Sequence, residues 1–344
     1  MARKLLFNNN PIQRPVFNLA LRTYASLSLL LISLIFISIS LGPLGYQPFV
    51  GLLQGDESAF IIISEYRFPR VLAAILLGSG LGLSGACLQG LTRNPLADHA
   101  ILGISGSAAM FCVVAFYFFS VQTGLGLTLL SFLGAASATI LLLWVSSNTI
   151  ENMLRLILVG IAISTITTAV IALMLNLAPN PFAAYETMRW LMGSVAHVQL
   201  NDIPIPMIAI VLGMFIMGRT AMGLDHLSLG DQEARALGTS RQNISILIIV
   251  GNGFCVAGCV ALAGVVGFVG IMAPHIMRMT LGALPSKLLL PSALLGANIV
   301  LAADLMTRML PTTSSLQLGV ITGLIGAPIF LHLIWTRSKA FHDT

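Results

Sequence analysis

The sequence predicts an all-α, polytopic membrane protein with about ten transmembrane helices, and three observations predict it. Of 344 residues, 57% are hydrophobic and only 8% are charged, whereas a soluble domain carries about a quarter charged residues. Apolar runs of roughly twenty residues recur, each long enough to cross a hydrocarbon core of about 30 Å as a helix. Lys and Arg gather in the segments between those runs, on alternate sides. Such a chain cannot cover a water-facing surface.

A mostly polar segment, 1–23, precedes the first run. No cleavable signal peptide is expected there, because the run that follows is long enough to span. The predicted spans are 24–42, 71–91, 100–119, 124–146, 155–177, 203–221, 243–263, 267–281, 289–307 and 317–335, forming one membrane domain, 24–336, with a short tail, 337–344. With the N-terminus inside, thirteen Lys and Arg fall on the inner side and only Arg67, Arg70, Arg189 and Arg308 fall outside. That bias orients the chain, and an even number of spans puts both termini in the cytoplasm. The net charge of +5 is therefore topological and does not point to nucleic acid.

Taken in order, the outer loop 43–70 carries Asp56, Glu57 and Glu65 and ends in Arg67-Phe68-Pro69-Arg70. Arginines at span ends anchor a helix or present guanidinium forks to carboxylates; three of the four outer arginines, Arg67, Arg70 and Arg308, stand at such ends and suit a surface for an acidic partner protein. The second span contains Gly80-Leu81-Gly82-Leu83-Ser84-Gly85. This matches G-x-G-x-x-G, but without a strand before it the glycines read as helix packing. In the turn that follows, Thr92 to His99, Pro95 stops the helix and places Asn94 in an extended or turn conformation. Such a turn lines a pore mouth or merely joins two helices, and spacing alone leaves both readings open.

Beyond the middle spans, the outer loop 178–202, with Pro179, Pro181, Trp190, Gly193 and His197, has room for a short surface helix. Cys87, Cys112, Cys255 and Cys259 all lie in apolar runs and read as small buried hydrophobes. The eighth span is short and interrupted by Gly and Pro. Few ionisable residues lie deep in spans; Asp304 and His275 are the main ones, and Asp304 has Arg308 at i, i+4 as a ready partner. A proton-driven secondary transporter, the rival class, would carry more. A phosphate loop, H-E-x-x-H and G-x-S-x-G are all missing from the sequence, so no ATPase or hydrolase site is expected and any ATP is hydrolysed by another subunit.

Between spans six and seven the chain turns polar. LDHLSLGDQEARALGTSR holds five of the twenty-nine charged residues. Gly230 and Gly238 bracket a two-turn helix whose first turn is acidic, with Asp231 and Arg235 at i, i+4. So short a helix is marginal alone and needs neighbours or a partner.

Four ordered blocks carry a family resemblance: RFPRVLAAILLGSGLGLSGACLQGLTRNPLADHAILGISGSA (67–108), LSLGDQEARALGTS (227–240), GFVGIMAPHIMRMTLG (267–282) and LGVITGLIGAPIFLHLI (318–334). Over about 60–335 the chain resembles the FecCD-type permeases of ABC importers for ferric siderophores, haem and cobalamin. The resemblance implies a type II ABC importer fold in a bacterial inner membrane. It also implies a second permease subunit, identical or homologous, two ATPase subunits that use ATP and Mg, and a periplasmic substrate-binding protein, with no cofactor or metal held by this chain. It places binding-protein docking on Arg67, Arg70 and Arg308. It places ATPase coupling on the helix from about Leu229 to Gly238, with Gly230, Asp231, Glu233, Arg235 and Leu237. The cytoplasmic gate falls on Asn94, Pro95 and Leu96, joined by Ser146 and Ser147 from the loop after span four. A ferric siderophore is the expected cargo. Two departures stand out: the family reads Asp-Pro at Asp98-His99, and Glu-Leu-Pro at Ser315-Leu316-Gln317.

Overall fold

A computed structural model describes residues 13–42, 45–119, 124–147, 153–310 and 316–329. Among these residues the chain is helical with no strand: α1 (Gln13–Ser40), α2 (Gln47–Leu53), α3 (Glu57–Ile61), α4 (Phe68–Thr92), α5 (Ile104–Val114), α6 (Gly124–Ser147), α7 (Met153–Asn176), α8 (Pro181–Leu191), α9 (Pro204–Gly218), α10 (Ala221–Leu229), α11 (Asp231–Ala236), α12 (Arg241–Ala263), α13 (Val269–Leu281) and α14 (Pro285–Met309), then α15 (Leu318–Ile329). Seven helical stretches are long and apolar enough to cross a membrane. Those containing α5, α13 and α15 are shorter and occupy the third, eighth and tenth predicted positions.

The second span starts earlier than its apolar run predicts. Wide π-helical turns over Ile62–Arg67 join α3 to α4, so much of the expected outer loop is helix. At the other boundary of the array, α8 is the surface helix expected in 178–202, capped by the Asn180 side chain, which accepts from Ala183 N at 2.8 Å.

α4 runs buried through the centre and packs most extensively on α14. Its glycines permit this. A Cβ on Gly78 would overlap the Gly296 carbonyl, one on Gly82 the Ser292 carbonyl, and one on Gly85 the Gly270 carbonyl of α13. Small residues of this kind bring membrane helices to backbone contact, which settles the G-x-G-x-x-G stretch as packing. On another side of α4, Gly80 faces the thiols of Cys255 and Cys259, and all four cysteines are free and buried. Two buried serines are paired across helices: Ser84 Oγ donates to Asn252 Oδ1 at 2.6 Å and Ser131 Oγ to the Ala257 carbonyl at 2.9 Å.

Two stretches of irregular chain lie inside the array. The third span begins as helix only at Ile104, after turns over 97–103, and Ser164 Oγ donates to the Ala100 carbonyl at 2.9 Å. Ser164 stands about 16 Å along α7 from its first residue, at 1.5 Å per residue, so this connection folds back to the middle of a neighbouring span instead of staying at the surface. Residues 264–268 likewise precede α13 unwound, with positive φ at Gly264 (70°) and at Phe268 (69°). It is this break, more than Pro274 inside α13, that shortens the eighth span. Non-helical backbone is tolerated at such depth only where protein surrounds it, and Ala97, Asp98, His99, Leu102 and Val266 are all buried.

Gly296→Leu should lower stability by about 1–3 kcal/mol or more through overpacking, read as a drop in thermal midpoint of the detergent-purified protein. Gly323→Ala, where a Cβ meets nothing within 4 Å, should leave it near the parent value. Equal losses in both would contradict the backbone-contact assignment.

Candidate functional site

Functional side chains collect at opposite ends of α4. At the predicted cytoplasmic end α4 stops at Thr92, and Arg93 takes a left-handed conformation (φ 51°). Asn94 then builds its own turn: its Oδ1 accepts from Leu96 N at 3.0 Å, its N donates to Thr92 Oγ1 at 3.2 Å, and its carbonyl accepts from Ala97 N at 3.2 Å. An asparagine side chain that mimics a backbone turn in this way fixes Pro95 and leaves Leu96 41% exposed. Ser146 and Ser147 belong to the last turn of α6 instead of the loop beyond it; their side chains lie outside the described residues.

The polar segment is two helices, α10 and α11, broken at Gly230. Its φ of 137° and ψ of 157°, together with the Glu233 carboxylate folded over it, leave no room for a side chain. Gly238 (φ 77°) closes α11: Gly238 N donates to the Arg235 carbonyl at 2.9 Å and Thr239 N to the Ala234 carbonyl at 2.8 Å, the Schellman pattern that glycine permits. Ala234 is fully buried and is the seat of α11. Leu229, Glu233, Arg235 and Leu237 are exposed.

Asp231 does more than favour its own helix start. Both its carboxylate oxygens accept from Arg241 Nη1 at 2.6 Å, and Oδ1 also accepts from Arg93 Nη2 at 3.0 Å. Arg93 reaches on to the Leu227 carbonyl, and Arg241 Nη2 donates to the Leu91 carbonyl at 3.3 Å. The arginine adjoining the Asn94 turn and the first residue of α11 are therefore joined directly. Neither Arg93 nor Arg241 was singled out from the sequence; an isolated acid between two loop arginines was the only signal.

Three residues past the turn, Asp98 and His99 form a buried pair, Oδ1 to Nδ1 2.5 Å. The Val266 carbonyl also meets the His99 side chain. Asp98 Oδ1 rests against Gly270, in the first turn of α13, where negative charge complements the helix dipole. This pair thus ties the chain just past the Asn94 turn to the broken eighth span.

At the predicted outer end, Asp304 in α14 is buried and binds two arginines: Oδ1 accepts from Arg70 Nε and Oδ2 from Arg308 Nη2, each at 2.8 Å. The partner expected at i, i+4 is present, and a second comes from α4. Arg67 and Arg308 are turned inward, correcting the expectation that all three arginines face a partner. Arg67 Nη1 donates to the Ile39 and Ser40 carbonyls at 2.7 Å, and Arg308 Nη1 to those of Ser38 at 3.0 Å and Leu41 at 3.4 Å. The last carbonyls of a helix lack partners within it; two guanidiniums supply them for α1, with charge of the favourable sign. Arg70, its Nη2 on Thr307 Oγ1 at 3.0 Å, keeps 16% side-chain exposure. Nearby, Gln317 lines a cavity of about 180 Å³ with Glu186, Arg189, Trp190, His197 and Asp202; Ser315 lies outside the described residues.

A bundle of apolar helices, seven of them long enough to span among the described residues, with a charged segment locked to the mouth of a buried central helix, has the architecture of a polytopic membrane protein. The chain belongs to the FecCD transport family, whose model matches residues 29–336, and this is a family of transmembrane permease subunits of ABC transporters. It is 34% identical to the vitamin B12 import system permease of Vibrio cholerae, over 89% of this chain and 91% of that one. It is also 34% identical to the Fe(3+)-citrate import system permease of Bacillus subtilis (90% and 93%) and 33% identical to the hemin transport system permease of Yersinia pestis (81% and 84%). A solved structure described as an inward-facing conformation of a metal-chelate type ABC transporter superposes with a TM-score of 0.82 at 32% identity, covering 90% of this chain and 98% of that one. The type II importer permease fold expected from the motifs is the fold observed.

Asp304→Asn should cost about 3–5 kcal/mol, because it strands two arginines inside the protein; thermal unfolding in detergent reads this, and a variant as stable as the parent would contradict it.

Proposed function

We propose that this chain is the membrane-spanning subunit of an ATP-driven importer that moves a metal chelate, a ferric siderophore in particular, from periplasm to cytoplasm by alternating access. The Arg93–Asp231–Arg241 link carries the reading. A segment that ends in exposed Leu229 and Leu237, with Glu233 and Arg235 between them, offers a soluble subunit both apolar and charged contacts. Motion imposed on α11 passes through Asp231 to Arg93 and so to the Asn94-Pro95-Leu96 turn, which serves as the gate together with the end of α6. The likeness to permeases named for vitamin B12, iron citrate and hemin supports a chelated metal as cargo.

In this assembly two copies, or this chain and a homologous one, enclose the pathway. Two ATPase subunits bring ATP and Mg, and a periplasmic binding protein delivers the cargo. Arg70 is the docking arginine with an outward edge, while Asp304 and Thr307 hold it in place. Coupling in this scheme requires that each partner contact two states of the permease unequally, as in rigid-body rocking of packed helices.

Glu233→Lys should abolish uptake and co-purification of the ATPase while the permease still inserts. Asp231→Asn should keep ATPase binding but lower uptake by about tenfold, the equivalent of about 1.4 kcal/mol. Arg70→Lys, which keeps a cation beside Asp304 but loses the guanidinium fork, should weaken binding-protein association without altering permease yield. Unaltered uptake in the first two would overturn the coupling route.

A further inference from the structure

A second polar feature sits beside the Arg93–Asp231 link. Where the end of α4 meets the α13–α14 turn, a cleft of about 310 Å³ is lined by Gln89, Arg93, Ser228, Arg278, Pro285 and Leu288 among others, and none of its lining residues is acidic. Both arginines are aimed by the fold. Arg93 is held by Asp231 and the Leu227 carbonyl. Arg278 Nη2 donates to Gln89 Oε1 at 3.1 Å, and Gln89 Nε2 in turn donates to the Gly270 and Ile271 carbonyls at 3.3 Å. One wall is polar and cationic; the other, Pro285 and Leu288 with Ala283, is apolar. The α13–α14 hairpin that forms the apolar wall also exposes Met279 (54%), Leu284 (40%) and Leu290 (58%).

Two guanidiniums, one of them already paired with Asp231, and a hydroxyl, in a cleft whose lining carries no acidic residue, recognise a phosphate oxyanion. The apolar wall and the exposed side chains on the same hairpin favour a phosphate attached to acyl chains over a free one. Basic pockets between helices at the cytoplasmic surface are where anionic headgroups settle. We propose that this cleft binds the headgroup of an anionic phospholipid. Because Arg93 is shared between the cleft and Asp231, an occupied cleft bears on the coupling segment, and Arg278 with Gln89 extends the contact to the start of α13. This inference rests on the cytoplasmic placement of the polar segment proposed above.

The test is native mass spectrometry of the full-length chain in detergent with added phosphatidylglycerol, phosphatidylcholine or inorganic phosphate. Phosphatidylglycerol should stay bound in preference to phosphatidylcholine. Arg93→Gln combined with Arg278→Gln should cut its retention about tenfold or more. Arg278→Lys, which keeps the charge, should retain it, as should Lys287→Gln, an exposed cation outside the cleft lining; both also control for folding. Equal retention of the two lipids, insensitivity to the double variant, or displacement of the lipid by inorganic phosphate alone would overturn the proposal. Protease access to a C-terminal tag in membrane vesicles reports the orientation separately, so failure of the placement and failure of the site are told apart.

Discussion

Backbone contact along α4 is the constraint on which the rest of the structure depends. Gly78 and Gly82 meet Ser292 and Gly296 of α14, and Gly85 meets Gly270 of α13. In a membrane, no hydrophobic driving force separates helix from lipid, so close packing of small residues and interhelical hydrogen bonds carry association. A helix gripped on several sides along its buried length transmits displacement as a rigid element. The charged groups that matter are found at its two ends.

Those ends differ in how charge is used. At the arginine end, Asp304 sits between Arg70 and Arg308 in the interior, and Arg67 and Arg308 are spent on the last carbonyls of α1. That is a staple of low mobility. At the other end, Asp231 lies between Arg93 and Arg241 at the surface, with side-chain exposures of 45% for Arg93 and 40% for Asp231. An exposed pair such as Arg93–Asp231 is worth little, about 0–1 kcal/mol, whereas Arg241, with 13% side-chain exposure, holds Asp231 more firmly. The buried Asp98–His99 pair joins the chain past the Asn94 turn to the broken start of α13.

Much of this was legible in the sequence because membrane burial writes itself as hydropathy. Ten spans, the surface helix at α8 and the glycines bracketing α11 follow from run length, proline and glycine placement. Three things did not follow. Residues 100–103 and 267–268 fall in predicted spans yet are unwound, because buried irregular backbone leaves no polar signature when protein covers it. Arg67 and Arg308 stand at span ends, where anchoring, docking and capping of a distant helix look alike. The Arg93–Asp231 link joins residues 138 positions apart, and pairing over that distance is a product of topology, not of spacing.

On the proposed coupling, this permease is driven from outside itself, through α11, by ATP hydrolysis on partner subunits. Uptake of a radiolabelled ferric siderophore into proteoliposomes containing the permease, its ATPase and its binding protein reads that drive. Accumulation should require ATP and Mg on the ATPase side, persist when the proton gradient is collapsed, and vanish when the ATPase is left out. Accumulation by the permease alone, driven by a proton gradient without nucleotide, would contradict it.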